Sequence, residues 1–180
     1  MLRGEGGSGT LFLAGCSLGC RYCQNWAISH ERQGRIASAR GIADLMLGLQ
    51  AEGCHNINWV TPTHAIATLV EALDLAAAEG LSLPLVYNSS GYERVESLGL
   101  LDGVVDIYLP DLKFFDREAS ERWLTIADYG EVSRAALAEM HRQVGDLVVD
   151  THRLAVSGVL IRHLVMPGYG EDSRAILRWI

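Results

Sequence analysis

Three observations predict an α/β fold, a parallel sheet covered by helices. Short apolar segments alternate with longer amphipathic ones along the chain. The short segments are nearly continuous in apolar residues, as strands covered on both faces are. Each is followed by polar, charged or thiol-bearing residues, and the C-terminal ends of parallel strands are where functional groups gather. Because strand–helix–strand connections are right-handed, such a sheet either curls toward a barrel or stays open.

The elements follow in order. Residues 1–9 are glycine-rich and polar and read as a flexible start. TLFLAG, residues 10–15, is the first strand. Residues 38–54 place Ile42, Leu45, Met46 and Leu49 at helical spacing, with Gly53 as the stop. NINWVT (56–61) is the second strand, and residues 64–80 form a helix ended by Gly80. LPLVYN (83–88) is the third strand, with a short helix through YERVESLGLL. VVDIYLPDLK (104–113) is the fourth, and one long helical region covers about 117–144. DLVVDTHRLAVSG predicts a small hairpin before the fifth strand, VLIRHLVMP (159–167). Residues 10–167 thus hold five strand–helix units, and 168–180 begin another, all within a single domain.

Composition sets the outer limits. At 180 residues, 49% hydrophobic and 21% charged, the chain is long and apolar enough to bury one core and is not disordered. A net charge of −7 argues against a nucleic-acid partner. No apolar run approaches a membrane span. LAGC at 13–16 looks like a lipoprotein cleavage site, but the apolar stretch there is residues 11–14, short of the roughly 7–15 residues that a signal requires. Three of the four cysteines crowd one loop, which points away from a secreted disulfide framework and toward a reducing, cytoplasmic setting.

That loop, GCSLGCRYC, carries the strongest chemical signal. Cys16, Cys20 and Cys23 lie within eight residues directly after the first strand. Thiolates so closely spaced bind zinc or an iron–sulfur cluster. Structural zinc takes four ligands, and His30 or Cys54 could supply the fourth. A cubane held by three cysteines leaves one iron open, the arrangement that a catalytic centre requires.

CSLGCRYC matches the C-x3-C-x2-C signature of radical S-adenosylmethionine (SAM) enzymes, including the aromatic Tyr22 before the last cysteine. CQNW, HNINWVTPTH, YNSSGYE, VDIYLPDLKF, MHRQVGDLV and IRHLVMPG further resemble the subgroup related to pyruvate formate-lyase activating enzymes, and the resemblance covers nearly the whole chain. It implies a partial (β/α)6 barrel in which Cys16, Cys20 and Cys23 hold a [4Fe-4S] cluster whose open iron chelates SAM. Reductive cleavage would then yield a 5′-deoxyadenosyl radical, and in activating enzymes this abstracts hydrogen from a glycine of a partner protein. Flavodoxin or ferredoxin is the implied reductant. Asp111 and Lys113 match an Asp-x-Lys of relatives that would hold the methionine carboxylate, directly or through a monovalent cation near Asp111. Asn88 and Ser89 match a polar stretch, and Arg162 an arginine before a Pro-Gly turn. The Gly-Gly-Glu that receives the SAM amino group in many relatives is absent; Thr61, Thr63 or His64 must substitute, or that contact is made differently. Against such relatives the chain also reads as truncated, without a sixth unit or an N-terminal extension.

Plainer readings stand beside these. Asp111 and Lys113 could be a surface ion pair, His64 a helix start, Asn88 and Ser89 turn formers, and Tyr22 a packing aromatic. Arg162 and His163 are strand neighbours and point to opposite faces; the family resemblance implies Arg162 as the inward one, with His163 packed between strand and helix. The same machinery could act on a small molecule or a non-glycyl protein site, and a zinc-stabilised binding domain without catalysis is the reading from another class.

Overall fold

The computed structural model describes residues 2–180. Its strands are β1 (Gly9–Phe12), β2 (Ile57–Val60), β3 (Leu85–Asn88), β4 (Ile107–Tyr108), β5 (Val148–Val149) and β6 (Ala155–Val159). Its helices are α1 (Trp26–Ser29), α2 (Ala39–Ala51), α3 (Ile66–Ala78), α4 (Val95–Gly99), α5 (Arg117–Leu124), α6 (Tyr129–Val144) and α7 (Gly170–Trp179). The sheet order is β1-β2-β3-β4-β6-β5, parallel throughout except for β5, which runs antiparallel to β6 as the expected hairpin. The expected α/β architecture is present.

Period-two alternation divides the sheet into two faces. Ile57, Trp59, Leu85, Tyr87 and Tyr108 point to the helices and are buried with Met46, Leu69, Leu98 and Met140 in the main core. Each large side chain so buried contributes about 1.5–3 kcal/mol. The other face carries Thr10, Asn58, Val60 and Asn88 toward one cavity. The helices begin and end on local signals. Ser38 caps α2 by accepting from the Gly41 N–H (3.2 Å), and Asp116 caps α5 through Ala119 (2.7 Å).

Two elements differ from the sequence reading. The single helix over 117–144 is two helices, because Thr125 takes a left-handed backbone (φ 66°) at the end of α5. The fifth parallel strand lies earlier than 159–167. It is Ala155–Val159, whose serine and glycine hide it from an apolar-run criterion, and the later residues extend the pairing only as far as an isolated bridge between Asp111 and Arg162. Leu160 still donates to Tyr108 (2.9 Å) and Arg162 to Pro110 (2.9 Å).

Gly91 fixes how closely the loop after β3 approaches the one after β4. Its φ is +77°, and a Cβ there would land on the Asp111 carbonyl oxygen. Gly91→Ala is therefore expected to destabilise the protein by about 2–3 kcal/mol, read as a lower urea midpoint at unchanged m-value.

Candidate functional site

A cavity of about 640 Å³ opens at the C-terminal ends of the parallel strands, within the size range of small-molecule sites. The loop after β1 supplies Cys16, Cys20, Tyr22 and Cys23 to its wall, followed by Gln24, Asn25 and Ser29 around α1. Thr61 enters from the loop after β2, Asn88, Ser89 and Ser90 from the end of β3, Asp111 and Lys113 from beyond β4, and Arg162 and His163 from beyond β6.

The cysteine loop is clamped onto α5. The Gly19 N–H donates to the Leu124 carbonyl (3.1 Å) and the Arg21 N–H to that of Trp123 (2.9 Å), so the unpaired carbonyls of the helix end hold the loop. A Cβ on Gly19 would collide with the Thr125 hydroxyl. Leu18 anchors the loop in a second small core with Phe114, Leu124 and Tyr129. The break between α5 and α6 thus has a local purpose: it ends a helix where the thiol loop needs acceptors.

All three thiols are free. Burial pushes Cys20 up to about 11 and raises Cys16 as well; the Lys113 charge pulls both down, and each ionised thiol would raise its neighbours. Both therefore stay protonated near neutral pH, and a metal would have to displace their protons.

Charged side chains face the thiols. Asp111 pairs through Oδ2 with Lys113 Nζ (2.6 Å) and through Oδ1 with Arg162 (2.9 Å), and Arg162 also donates to Asn88 Oδ1 (2.8 Å). Both Asp111 oxygens are thus engaged by side-chain cations. The group carries a net charge of +1 and suits an anionic ligand such as a carboxylate. His163 borders the cavity beside Arg162, with its ring nitrogens at 2.6 Å from the Leu112 carbonyl and 2.8 Å from Ser173 on α7.

The structure therefore brings Tyr22, Thr61, Asn88, Ser89, Asp111, Lys113 and Arg162 to one cavity with the three cysteines. Thr63 and His64 are not on its wall: Thr63 donates to Glu93 Oε1 (2.6 Å), and His64 is exposed beside Gly15. Thr61 holds a left-handed backbone (φ 59°), strained for a β-branched residue, at the point where the chain turns along the cavity. Cys54 precedes β2, at the other end of the sheet. Thr10, Asn58, Asn25, Ser29 and Ser90 line the cavity without having been singled out; period-two alternation in NINWV would have found Asn58 opposite Ile57 and Trp59.

The donor set can be tested against the groups it would hold. Among the described residues, no three His, Cys, Asp or Glu side chains form a group that could hold one metal ion. His30 is spoken for, with Nδ1 against Ser29 Oγ (2.8 Å) and Nε2 buried. A cubane makes a different demand, one soft thiolate for each of three irons, and three free thiols on one wall meet it. The residues fit such a cluster.

Comparison with known proteins places the chain in a family. The model of the radical SAM superfamily matches residues 10–180. An uncharacterized protein of Methanocaldococcus jannaschii is 30% identical over 170 residues, covering 90% of this chain and 45% of its own length. The solved structure of native anSMEcpe with bound AdoMet superposes with a TM-score of 0.59 at 12% identity, covering 94% of this chain and 48% of that one. The chain thus spans about half the length of the relatives it matches.

Beneath the cavity wall, Glu93 ties the loops after β2 and β3 together. Burial pushes its carboxyl up to about 7 from an ordinary 4.5, against weaker lowering by the hydroxyls of Thr63, Ser89 and Tyr87. A raised folded value favours the protonated form, so its contribution is fully present below pH 4.5 and is lost as pH rises through about 7. Glu93→Gln keeps an acceptor for Thr63 and removes that penalty. Relative to wild type, it is expected to gain about 2–3 kcal/mol between pH 5 and pH 8, read from urea unfolding at the two values.

Proposed function

Because the chain belongs to the radical SAM superfamily, we propose that it is an iron–sulfur enzyme that reductively cleaves S-adenosylmethionine and abstracts hydrogen from a partner protein, as activators of glycyl-radical enzymes do. The observation that carries this reading is the shared wall of one cavity. Three free thiols from a single loop share its lining with Asp111, Lys113 and Arg162, with no other cysteine beside them.

When bound, a [4Fe-4S] cluster supplies a low-potential electron and an iron open to SAM. The residues of this chain do the rest. Cys16, Cys20 and Cys23 would hold the cluster, each giving up its proton. The net positive charge of Asp111, Lys113 and Arg162 would take the methionine carboxylate, and its fixed geometry needs no rearrangement to do so. Asn88 and Ser89 offer neutral polar contacts, and Tyr22 a flat apolar wall. With Thr63 and His64 off the cavity wall, Thr61 is the residue after β2 left to meet the SAM amino group, through its hydroxyl or its strained backbone. Flavodoxin or ferredoxin would serve as reductant. The glycyl-radical target rests on the motifs shared with activating enzymes.

The test is anaerobic reconstitution with iron and sulfide, reduction, and electron paramagnetic resonance with and without SAM. A cubane signal that changes on adding SAM is expected. It should be lost in Cys16→Ala, Cys20→Ala and Cys23→Ala and kept in Cys54→Ala. A chain that retains zinc and assembles no cluster would overturn the proposal in favour of a binding domain. A second expectation concerns Asp111→Asn, which frees both cations from their counter-charge: the cluster is kept, and the SAM concentration needed to change the signal moves.

A further inference from the structure

We infer that Ser29 is a positioning residue that hydrogen-bonds the cluster ligand Cys23 and sets the reduction potential of the cluster. This rests on the proposed iron–sulfur function. The Ser29 hydroxyl stands 3.0 Å from Cys23 Sγ, 2.8 Å from His30 Nδ1 and 2.9 Å from the Asn25 carbonyl oxygen. No other side chain among the described residues contacts one of the three thiols of the cavity by hydrogen bond.

A hydroxyl has one proton and two lone pairs, so three neighbours cannot all accept from it. The Asn25 carbonyl does not need it, because the Ser29 backbone N–H already donates there (2.9 Å). In the pair of Cys23 Sγ and Ser29 Oγ either atom can be the donor. Bound to iron as a thiolate, Cys23 can only accept, and the Ser29 proton is then the donor within reach. His30 completes the arrangement. Its Nε2 is buried without a partner, so a proton on Nδ1 finds an acceptor in Ser29 Oγ where a proton on Nε2 would find none. The Trp26 ring, stacked on the imidazole at 3.9 Å and 8°, holds that orientation. The line His30 to Ser29 to Cys23 therefore runs donor to acceptor toward the sulfur.

Reduction adds one electron and makes the cluster more negative. A donor on a ligating sulfur stabilises that state and raises the potential. Since Ser29 itself lines the cavity, the hydrogen bond also lies on the side from which solvent and ligand approach.

The experiment is a redox titration of the reconstituted protein, followed by electron paramagnetic resonance, on wild type, Ser29→Ala and Ser29→Thr at equal iron and sulfide content. The alanine variant should titrate at a more negative midpoint than wild type, and the threonine variant, which keeps the hydroxyl, should return toward wild type. An alanine variant that folds but loads no cluster where the threonine variant does also supports the assignment. Equal midpoints in all three, with intact clusters, overturn it and leave the proposed function standing. A wild-type protein that assembles no cluster takes down both.

Discussion

The Asp111 carboxylate is the contact on which the site depends. Its two oxygens hold Lys113 and Arg162, and Arg162 reaches on to Asn88. The backbone repeats the same link, since Asp111 donates to Ser89 (3.0 Å), Arg162 to Pro110 (2.9 Å) and Leu112 to Arg162 (2.8 Å). One residue therefore joins three strand ends after the regular ladders have stopped. Two cations on one carboxylate leave the group short of neutrality, which gives this side of the cavity its charge. The same cavity carries the thiols, and burial keeps those of Cys16 and Cys20 protonated. An anionic ligand and a thiolate-bound metal would each complement part of that lining.

Supports for this arrangement come from outside the cavity. Tyr129 is fully buried, and its hydroxyl lies 2.8 Å from both the Ser90 and the Asp111 carbonyl oxygens while accepting from the Lys113 N–H (3.2 Å). A phenol at the start of α6 thus keeps the loops after β3 and β4 together, in the space that Gly91 leaves by lacking a side chain. The end of α5 holds the cysteine loop in the same manner, through carbonyls that a continuous helix would have consumed internally. Replacing the expected long helix by two is what connects the second core to the thiols.

Much of this was legible in the sequence because parallel α/β folds separate the two kinds of information. Apolar runs gave the strands, glycines gave the ends of α2 and α3, and the polar residues after each strand gave one rim. The cysteine spacing and the pairing of Asp111 with Lys113 were visible as local patterns. What escaped notice depends on tertiary contact. Residues 155–159 include a serine and a glycine and become a strand because β4 and β5 pair with them. Thr63 follows the second strand like any rim residue, yet turns to Glu93, whose burial nothing in YNSSGYE announces. No local pattern singles out Ser29, and only folding sets it against Cys23.

The central claim is that three thiolates suffice because SAM completes the metal site. Cleavage of SAM tests it most directly. The reconstituted chain, reduced under anaerobic conditions with SAM in excess, should release 5′-deoxyadenosine and methionine in equal amounts, quantified by liquid chromatography and mass spectrometry. Recovery of intact SAM from protein that carries a full, reduced cluster would contradict the account.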